Sequence, residues 1–127
     1  MPVEFEMKFV LKDAEKLLNH FLEEDWIRID QFYLKDGVRF RRMQQGEKVR
    51  HILTYKTKIV GRLLEIETAI SQDDYEHAEQ AKVRELHKIR VIHHDPHTAL
   101  VWDIDFLLDE NRQIYFAMAE LEREEGD

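Results

Sequence analysis

The stretch "EFEMK", residues 4–8, sets three charges on alternate positions and leaves apolar residues between them. Side chains alternate between the two faces of a strand, so Glu4, Glu6 and Lys8 share one face, opposite Phe5 and Met7. Charges two residues apart on a strand lie about 7 Å apart, and the two carboxylates repel each other unless water, a counter-charge or a cation compensates them. The stretch therefore predicts a half-buried strand whose charged face needs a compensating partner.

The same alternation of charged and apolar residues recurs along most of the chain. Seven sets of charges each share one face of a predicted strand. The sets are Glu4, Glu6 and Lys8; Arg39 and Arg41; Lys56 and Lys58; Glu65 and Glu67; Lys88 and Arg90; Asp103 and Asp105; Glu120 and Glu122. A plain antiparallel sheet with one solvated face also alternates, but its outer positions usually mix in Thr, Ser and Gln. Repeated charge, sorted by sign, favours a binding surface over a plain solvated sheet.

Eight strands and two helices account for the periodicity of the chain. The strands are predicted at residues 3–11, 31–34, 38–43, 49–59, 63–70, 87–93, 99–107 and 113–122, and the helices from Asp13 to about Glu24 and from Asp73 to about His87. Apolar residues recur at helical spacing after Asp13, and glycines that allow positive φ separate the strands at Gly37 and Gly61. Residues 1–127 therefore form a single predicted domain of the α+β class.

The composition narrows the functional classes. The net charge of −8 argues against a surface that grips long nucleic acid through many phosphates, and the absence of cysteine excludes disulfides and thiolate chemistry. With 43% hydrophobic and 36% charged residues, the chain can bury a core while carrying more charge than an average domain. No apolar run approaches the length of a membrane span or of a secretory signal. We expect a soluble cytoplasmic protein whose excess charge has a local use.

The types of charged residue point to a metal and a polyanion. Carboxylates without histidine or cysteine among them are hard ligands, which suit Mg²⁺ or Mn²⁺ rather than zinc or copper. Arginines such as Arg39 and Arg41 make forked hydrogen bonds to phosphate oxygens, and lysines act as point charges. If the eight strands close into a barrel with the charged face inward, acids and bases line one lumen that can hold a metal and a phosphate compound together.

These motifs, in this order, resemble those of the CYTH superfamily of triphosphate tunnel metalloenzymes, which includes thiamine triphosphatases, inorganic triphosphatases and class IV adenylate cyclases. The family's Glu-x-Glu-x-Lys signature is matched by "EFEMK". Its later strands are matched by "VRFRR", "LTYK", "EIE" and "HKIR", and "WDIDF" and "ENRQIYFAMAELE" are similar to the closing strands of the bacterial triphosphatases. The resemblance implies an eight-stranded antiparallel β-barrel, the triphosphate tunnel, with two covering helices.

The resemblance also implies a role for each matching residue. The candidate ligands of Mg²⁺ or Mn²⁺ are Glu4, Glu6, Glu120 and Glu122, with Asp103 or Asp105. The candidate phosphate ligands are Lys8, Arg39, Arg41, Lys56, Lys88 and Arg90. Glu65 and Glu67 are candidate catalytic residues that orient the bases or position the attacking water, and Lys8 belongs to the same catalytic set.

Two departures from the family pattern carry expectations of their own. The family often has an arginine two residues before its Glu-x-Glu pair, where this chain has Leu63; Arg62 is one residue away and therefore faces the other side unless a bulge intervenes. One phosphate ligand is then missing. Bacterial members also continue beyond the last strand with a segment that helps to cover the tunnel, so we expect either an open end or a homodimer whose second subunit closes it.

The expected function is that of a divalent-metal-dependent triphosphatase acting on tripolyphosphate, thiamine triphosphate or a nucleoside triphosphate. Two alternatives stay open at this stage. One is a class IV adenylate cyclase, which would release cyclic AMP and pyrophosphate from ATP. The other is a non-catalytic module that binds a triphosphate or the 5′-triphosphate end of an RNA, and it would bind tightly without turnover.

Overall fold

Eight strands, two α-helices and one 3-10 turn make up residues 8–122, the part of the chain that the computed structural model describes; side chains are described for residues 10–121. In chain order they are β1 Lys8–Val10, α1 Ala14–Leu18, a 3-10 turn at Glu23–Asp25, β2 Ile27–Tyr33, β3 Arg39–Gln45, β4 Lys48–Ile59, β5 Arg62–Ala69, α2 Gln72–Glu79, β6 Arg84–His94, β7 Val101–Leu108 and β8 Ile114–Glu122. The start of the predicted first strand, including Glu4 and Glu6, lies outside the described residues. None of the helices in this range is long and apolar enough to cross a lipid bilayer.

Hydrogen-bonded strands follow the order β1-β8-β7-β6-β2-β3-β4-β5. The five strand pairs with a described register are all antiparallel. The predicted eight strands and two helices are confirmed. The predicted closure into a barrel is not confirmed, because the order found in residues 8–122 has two ends, β1 and β5.

The chain divides into two compact units. The first unit contains the residues up to 27 and those from 88 onward, and the second contains residues 28–87. β6 passes from one into the other, since Arg84–His87 belong to the second unit and Lys88–His94 to the first. The single domain over residues 1–127 stays a prediction.

In the first unit, one face of β6, β7 and β8 forms the core with α1. Alternate residues of β7, including Ile104 and Phe106, are buried together with Val91 of β6 and Leu18 of α1. Phe106 has 0% of its surface exposed. The charged positions of β7 alternate with these residues, so Asp103 and Asp105 lie on the opposite face.

In the second unit, α2 covers the apolar face of β2, β3 and β4. Phe32 stacks on Phe40 at 4.9 Å between ring centroids, and Tyr75 of α2 contacts Phe32 edge-on at 5.0 Å. The Tyr75 hydroxyl also donates to the Asp30 carbonyl at 3.2 Å. This aromatic cluster fixes which face of the strands is covered, and Arg39, Arg41, Lys56 and Lys58 lie on the other face.

Both helices are shorter than the sequence predicts. Asp13 does not cap α1 with its side chain but has a left-handed backbone (φ 52°), and α1 ends at Leu18 because Asn19 and His20 are poor helix formers. α2 is capped by Ser71, whose hydroxyl accepts from the Asp74 N–H at 3.0 Å, rather than by Asp73. It ends at Glu79, and a turn follows before β6 begins at Arg84.

Candidate functional site

The charged residues of the second unit lie in rows across its strands. Residues that pair directly across an antiparallel ladder share a face. The register places Tyr33, Arg39, Thr54 and Glu67 in one row, and Gln31 and Arg41 in the adjacent row on the same face. Lys56 lies opposite Glu65 in a further row. The predicted bases and catalytic glutamates of this unit, Arg39, Arg41, Lys56, Glu65 and Glu67, are therefore on one face.

Two of these bases are paired with the predicted catalytic glutamates. Arg41 Nη2 lies 2.9 Å from Glu67 Oε1, and it also approaches Thr54 Oγ1 at 3.4 Å. Lys56 Nζ lies 4.0 Å from Glu65 Oε1, with both side chains about half exposed. The geometry is thus suited to glutamates that orient bases, which is one of the two roles that the resemblance implies.

Leu63 lies on the charged face, as its position in the sequence predicts. It pairs with Lys58, while Arg62 pairs with Ile59 on the opposite face, and the ladder has no bulge between them. Arg62 therefore does not replace the arginine that the family pattern has at this place.

Three polar residues of this unit escaped the sequence-based prediction: Gln31, Tyr33 and Arg84. Gln31 and Tyr33 have the same strand parity as the charged face in "QFYL", which is the signal that could have found them. Arg84 lies outside any recognised motif, and its guanidinium rests over the Tyr33 ring at 4.2 Å from the centroid.

In the first unit, the predicted bases of β6 hold one predicted metal ligand. Arg90 donates two hydrogen bonds to Asp105, from Nε to Oδ1 at 2.7 Å and from Nη2 to Oδ2 at 3.0 Å. Lys88 Nζ donates to Oδ2 of the same carboxylate at 3.1 Å. The Asp105 side chain is only 5% exposed. Asp105 is therefore the counter-ion of two predicted phosphate ligands in this structure.

The electrostatics of this cluster favour the ionised carboxylate. Burial raises the pKa of Asp105, but the hydrogen bond from Arg90 and the charges of Lys88 and Arg90 outweigh burial and bring that pKa below its ordinary value. Arg90 also approaches Asp103, with 3.7 Å between Nη1 and Oδ2. Lys88 and Arg90 of β6 therefore favour the charged form of Asp105.

Two acidic residues pair directly across the other strands of the first unit. Glu120 pairs with Asp103, so these two residues share a face, and the backbone of Lys8 pairs with that of Glu120 on the other side. Directly paired residues have Cβ atoms about 5 Å apart, and two carboxylates at that spacing repel each other. Asp103 and Glu120 are therefore a place where a cation would relieve repulsion. Glu122 continues the same strand opposite Val101, but its side chain is not described.

The donors of this pair fit Mg²⁺ or Mn²⁺ in kind, because they are carboxylates. Within residues 8–122, no group of three or more acidic, histidine or cysteine side chains is placed so that it could hold an ion. Asp103 and Glu120 therefore do not form a metal site by themselves, and the predicted ligands Glu4 and Glu6 lie outside the described residues.

Comparison with known proteins supports the fold. No protein-family model matches the chain, and no curated protein sequence matches it. Solved structures do match, and three of them are similar over nearly the whole chain. The hypothetical protein NE1496 is 21% identical over 96% of this chain and 77% of its own, with a TM-score of 0.59. The PH1819 protein from Pyrococcus horikoshii is 20% identical over 95% of this chain and 78% of its own, with a TM-score of 0.58. A protein from Bacillus halodurans, described as "a putative adenylate cyclase (bh2851)", is 16% identical over 98% of this chain and 81% of its own, with a TM-score of 0.61. At these identities the similarity shows a common fold.

Proposed function

We propose that the chain is a CYTH-type triphosphatase, an enzyme that uses a divalent metal to hydrolyse a triphosphate compound inside a charged β-tunnel. The observation that carries this proposal is the sorting of bases and acids onto one face within each unit: Arg39, Arg41 and Lys56 in the second, Lys88 and Arg90 in the first. The ordered motifs and the fold shared with a protein described as an adenylate cyclase support it. The closed eight-stranded barrel is part of the proposal and rests on the motifs.

The substrate class follows from the chemistry of the bases. Tripolyphosphate, thiamine triphosphate and nucleoside triphosphates share a chain of three phosphates with several negative charges. Guanidinium groups bind phosphate oxygens through two parallel hydrogen bonds, and ammonium groups bind them as point charges. We therefore assign recognition to the triphosphate and not to the organic group.

In the proposed site, one group of acids holds the metal and another positions the bases. Mg²⁺ or Mn²⁺, when bound, neutralises phosphate charge and favours attack by water. In the proposed site Glu120 and Asp103, with Glu4, Glu6 and Glu122, hold it. Asp105 instead positions Lys88 and Arg90, since all three of its short contacts are to those bases.

The remaining residues act on the phosphoryl group. The bases, with Lys8, stabilise the charge that develops as the phosphoryl group is transferred, which is the main source of catalysis in such reactions. Glu67 holds the Arg41 guanidinium, and Glu65 lies beside the Lys56 ammonium. In the proposed mechanism these two glutamates keep the bases aimed at the substrate or position the attacking water.

A panel of phosphate-release assays tests the proposal. Tripolyphosphate, thiamine triphosphate and ATP are each incubated with Mg²⁺ or Mn²⁺, and metal-dependent release of phosphate is expected from at least one. Glu120→Gln should reduce that release by about a hundredfold, whereas Glu110→Gln, an exposed turn residue of the same unit, should leave it unchanged. Full activity of the Glu120→Gln variant would show that the metal site is wrongly placed.

A cyclase is the second candidate, and the name of the Bacillus halodurans structure favours it. In that reaction the ribose 3′ oxygen attacks the α-phosphate of ATP, and pyrophosphate leaves. Cyclic AMP is therefore measured alongside phosphate with ATP and Mn²⁺. Cyclic AMP with pyrophosphate supports the cyclase, phosphate without cyclic AMP supports the triphosphatase, and tight binding without either product supports a binding module.

A further inference from the structure

Arg84 lies beside the charged face of the second unit, although no motif includes it. Its guanidinium carbon is 4.2 Å from the centroid of the Tyr33 ring, which is the geometry of a cation–π contact. The Val83 N–H donates to the Tyr33 carbonyl at 2.9 Å, and this backbone bond brings the start of β6 to the end of β2. Arg84 is therefore held in place by its neighbours.

Tyr33 connects Arg84 to the predicted phosphate ligand Arg39. Tyr33 and Arg39 pair directly across the β2–β3 ladder and so share a face, with their Cβ atoms about 5 Å apart. Arg84 lies over the same ring from the β6 side. Tyr33 therefore neighbours two arginines, Arg39 on β3 and Arg84 on β6.

Neither of these arginines is neutralised by an acid within residues 10–121. Arg41 and Lys56 on the same face each have a glutamate partner. Arg39, by contrast, forms no ion pair in that range, and its buried Nε has no hydrogen-bond partner there. Two cationic residues that both neighbour Tyr33 without an acidic partner in that range raise the local positive potential, and an anion lowers it. This contrast is informative because the chain has 27 acidic residues.

Gln31 provides a second, independent observation, because it is buried and one of its polar atoms has no partner in the described range. Its residue surface is 3% exposed, its Nε2 donates to the Tyr33 hydroxyl at 2.8 Å, and its Oε1 has no hydrogen-bond partner in the described range. A buried polar atom without a partner is costly, so such atoms normally meet a ligand or a water. If the amide oxygen and nitrogen are exchanged, the Tyr33 hydroxyl donates to the oxygen, and an N–H is offered to an anion instead.

We propose that Arg84 and Arg39 form an anion grip that binds a phosphate group, with Tyr33 as the positioning residue that holds Arg84. Gln31 fixes the Tyr33 hydroxyl and supplies the remaining polar contact. The inference rests on the proposed function for the class of anion. Inorganic tripolyphosphate and the phosphates of ATP share the chemistry that the grip recognises.

The test is calorimetric titration of the whole chain with inorganic tripolyphosphate and with ATP, in EDTA so that no metal contributes. Arg84→Gln should lower the affinity for both ligands by about tenfold, the usual effect of losing one charge-assisted contact. Arg62→Gln is the matched control, because Arg62 is exposed and lies on the opposite face of β5 from Glu65. It removes the same charge and should change neither affinity by more than about twofold.

Variants of Tyr33 separate positioning from binding. Tyr33→Phe keeps the ring and should bind within about twofold of the native chain, whereas Tyr33→Leu removes the cation–π contact and should resemble Arg84→Gln. The double variant Tyr33→Leu, Arg84→Gln should bind no more weakly than Arg84→Gln alone, since Tyr33 acts through Arg84. Melting temperatures identify any variant that is unfolded, and the Arg84 and Arg62 pair, both exposed, remains informative in that case.

The outcomes distinguish this inference from the proposed function. If the native chain binds tripolyphosphate and Arg84→Gln binds like Arg62→Gln, the grip is refuted while the triphosphatase proposal stands. If Arg84→Gln lowers the affinity for ATP but not for tripolyphosphate, Arg84 contacts the nucleoside, and this outcome also refutes a phosphate grip. A native chain that neither binds nor hydrolyses any triphosphate overturns both proposals.

Discussion

Replacing Asp105 by asparagine perturbs the most buried ion pair of the first unit whose contacts are described. The carboxylate receives donors at 2.7, 3.0 and 3.1 Å and is 5% exposed, while Lys88 and Arg90 are 12% and 21% exposed. Asparagine keeps the shape but removes the charge and one acceptor, so two cations remain near a neutral amide. Removal of one partner from a buried ion pair costs about 3–5 kcal/mol of unfolding free energy. Because Arg90 also has Asp103 at 3.7 Å, we expect about 3 kcal/mol, the lower end.

Thermal melting at neutral pH measures this loss. For a chain of this size, about 3 kcal/mol corresponds to a melting temperature lower by about 10 °C. Glu110→Gln is the control, since it removes the same charge from an exposed turn and should shift melting by no more than about 1–2 °C. If Asp105→Asn also melts within about 2 °C of the native chain, the reasoning from burial and ion pairing is refuted.

The same variant decides between two roles for Asp105. As a positioning group, its loss leaves the charges of Lys88 and Arg90 uncompensated, so tripolyphosphate binding in EDTA should become tighter at a temperature where the variant is folded. As a metal ligand, its loss would leave binding in EDTA unchanged and weaken the effect of Mg²⁺ or Mn²⁺. Calorimetry with and without the metal separates the two.

Three further expectations concern acid stability, helix capping and the charged face. The folded-state pKa of Asp105 lies below its ordinary value of 3.8, so its ion pair stabilises the fold above pH 3.8. This stabilisation is lost as the pH falls through the lower folded-state pKa. Asp105→Asn should therefore show a shallower acid unfolding transition in circular dichroism. Ser71→Ala should cost about 1 kcal/mol in urea unfolding and Asp73→Ala much less, since Ser71 caps α2; equal losses would contradict the assignment. Leu63→Arg adds a charge opposite Lys58 and should tighten tripolyphosphate binding about threefold, an effect that high salt removes.

The strands could be predicted well because their signal is local. Residues 49–59 and 63–70 are predicted as a hairpin around Gly61, and the structure has β4 at Lys48–Ile59 and β5 at Arg62–Ala69. A period of two and a glycine with positive φ at the turn need no information from the rest of the chain. The same periodicity places Arg39, Arg41 and Lys56 on one face with Glu65 and Glu67, and the register of the second unit confirms this.

The helices were predicted less well because tertiary contacts decide their ends. The apolar stripe after Asp73 continues in sequence to Leu86, but the Val83 N–H donates to the Tyr33 carbonyl and β6 begins at Arg84, so the helix does not persist. Asp13 looks like a capping residue by type, yet its backbone adopts a left-handed conformation that moves its side chain away from the first turn. Neither the early end of α2 nor the backbone conformation of Asp13 can be predicted from the local sequence.

Residue type predicts which side chains belong to the charged face, but neighbours decide what each one does there. Lys88 and Arg90 are held by a buried carboxylate, so an anion that binds them must compete with Asp105 or recruit a cation to offset it. Arg39 and Arg84 form no such ion pair within residues 10–121, so an anion that binds them displaces no acid. The two groups should therefore respond differently to metal. Anion binding at Lys88 and Arg90 should depend on Mg²⁺ or Mn²⁺, whereas anion binding at Arg39 and Arg84 should persist in EDTA. For this reason the titration without metal measures the contribution of Arg84.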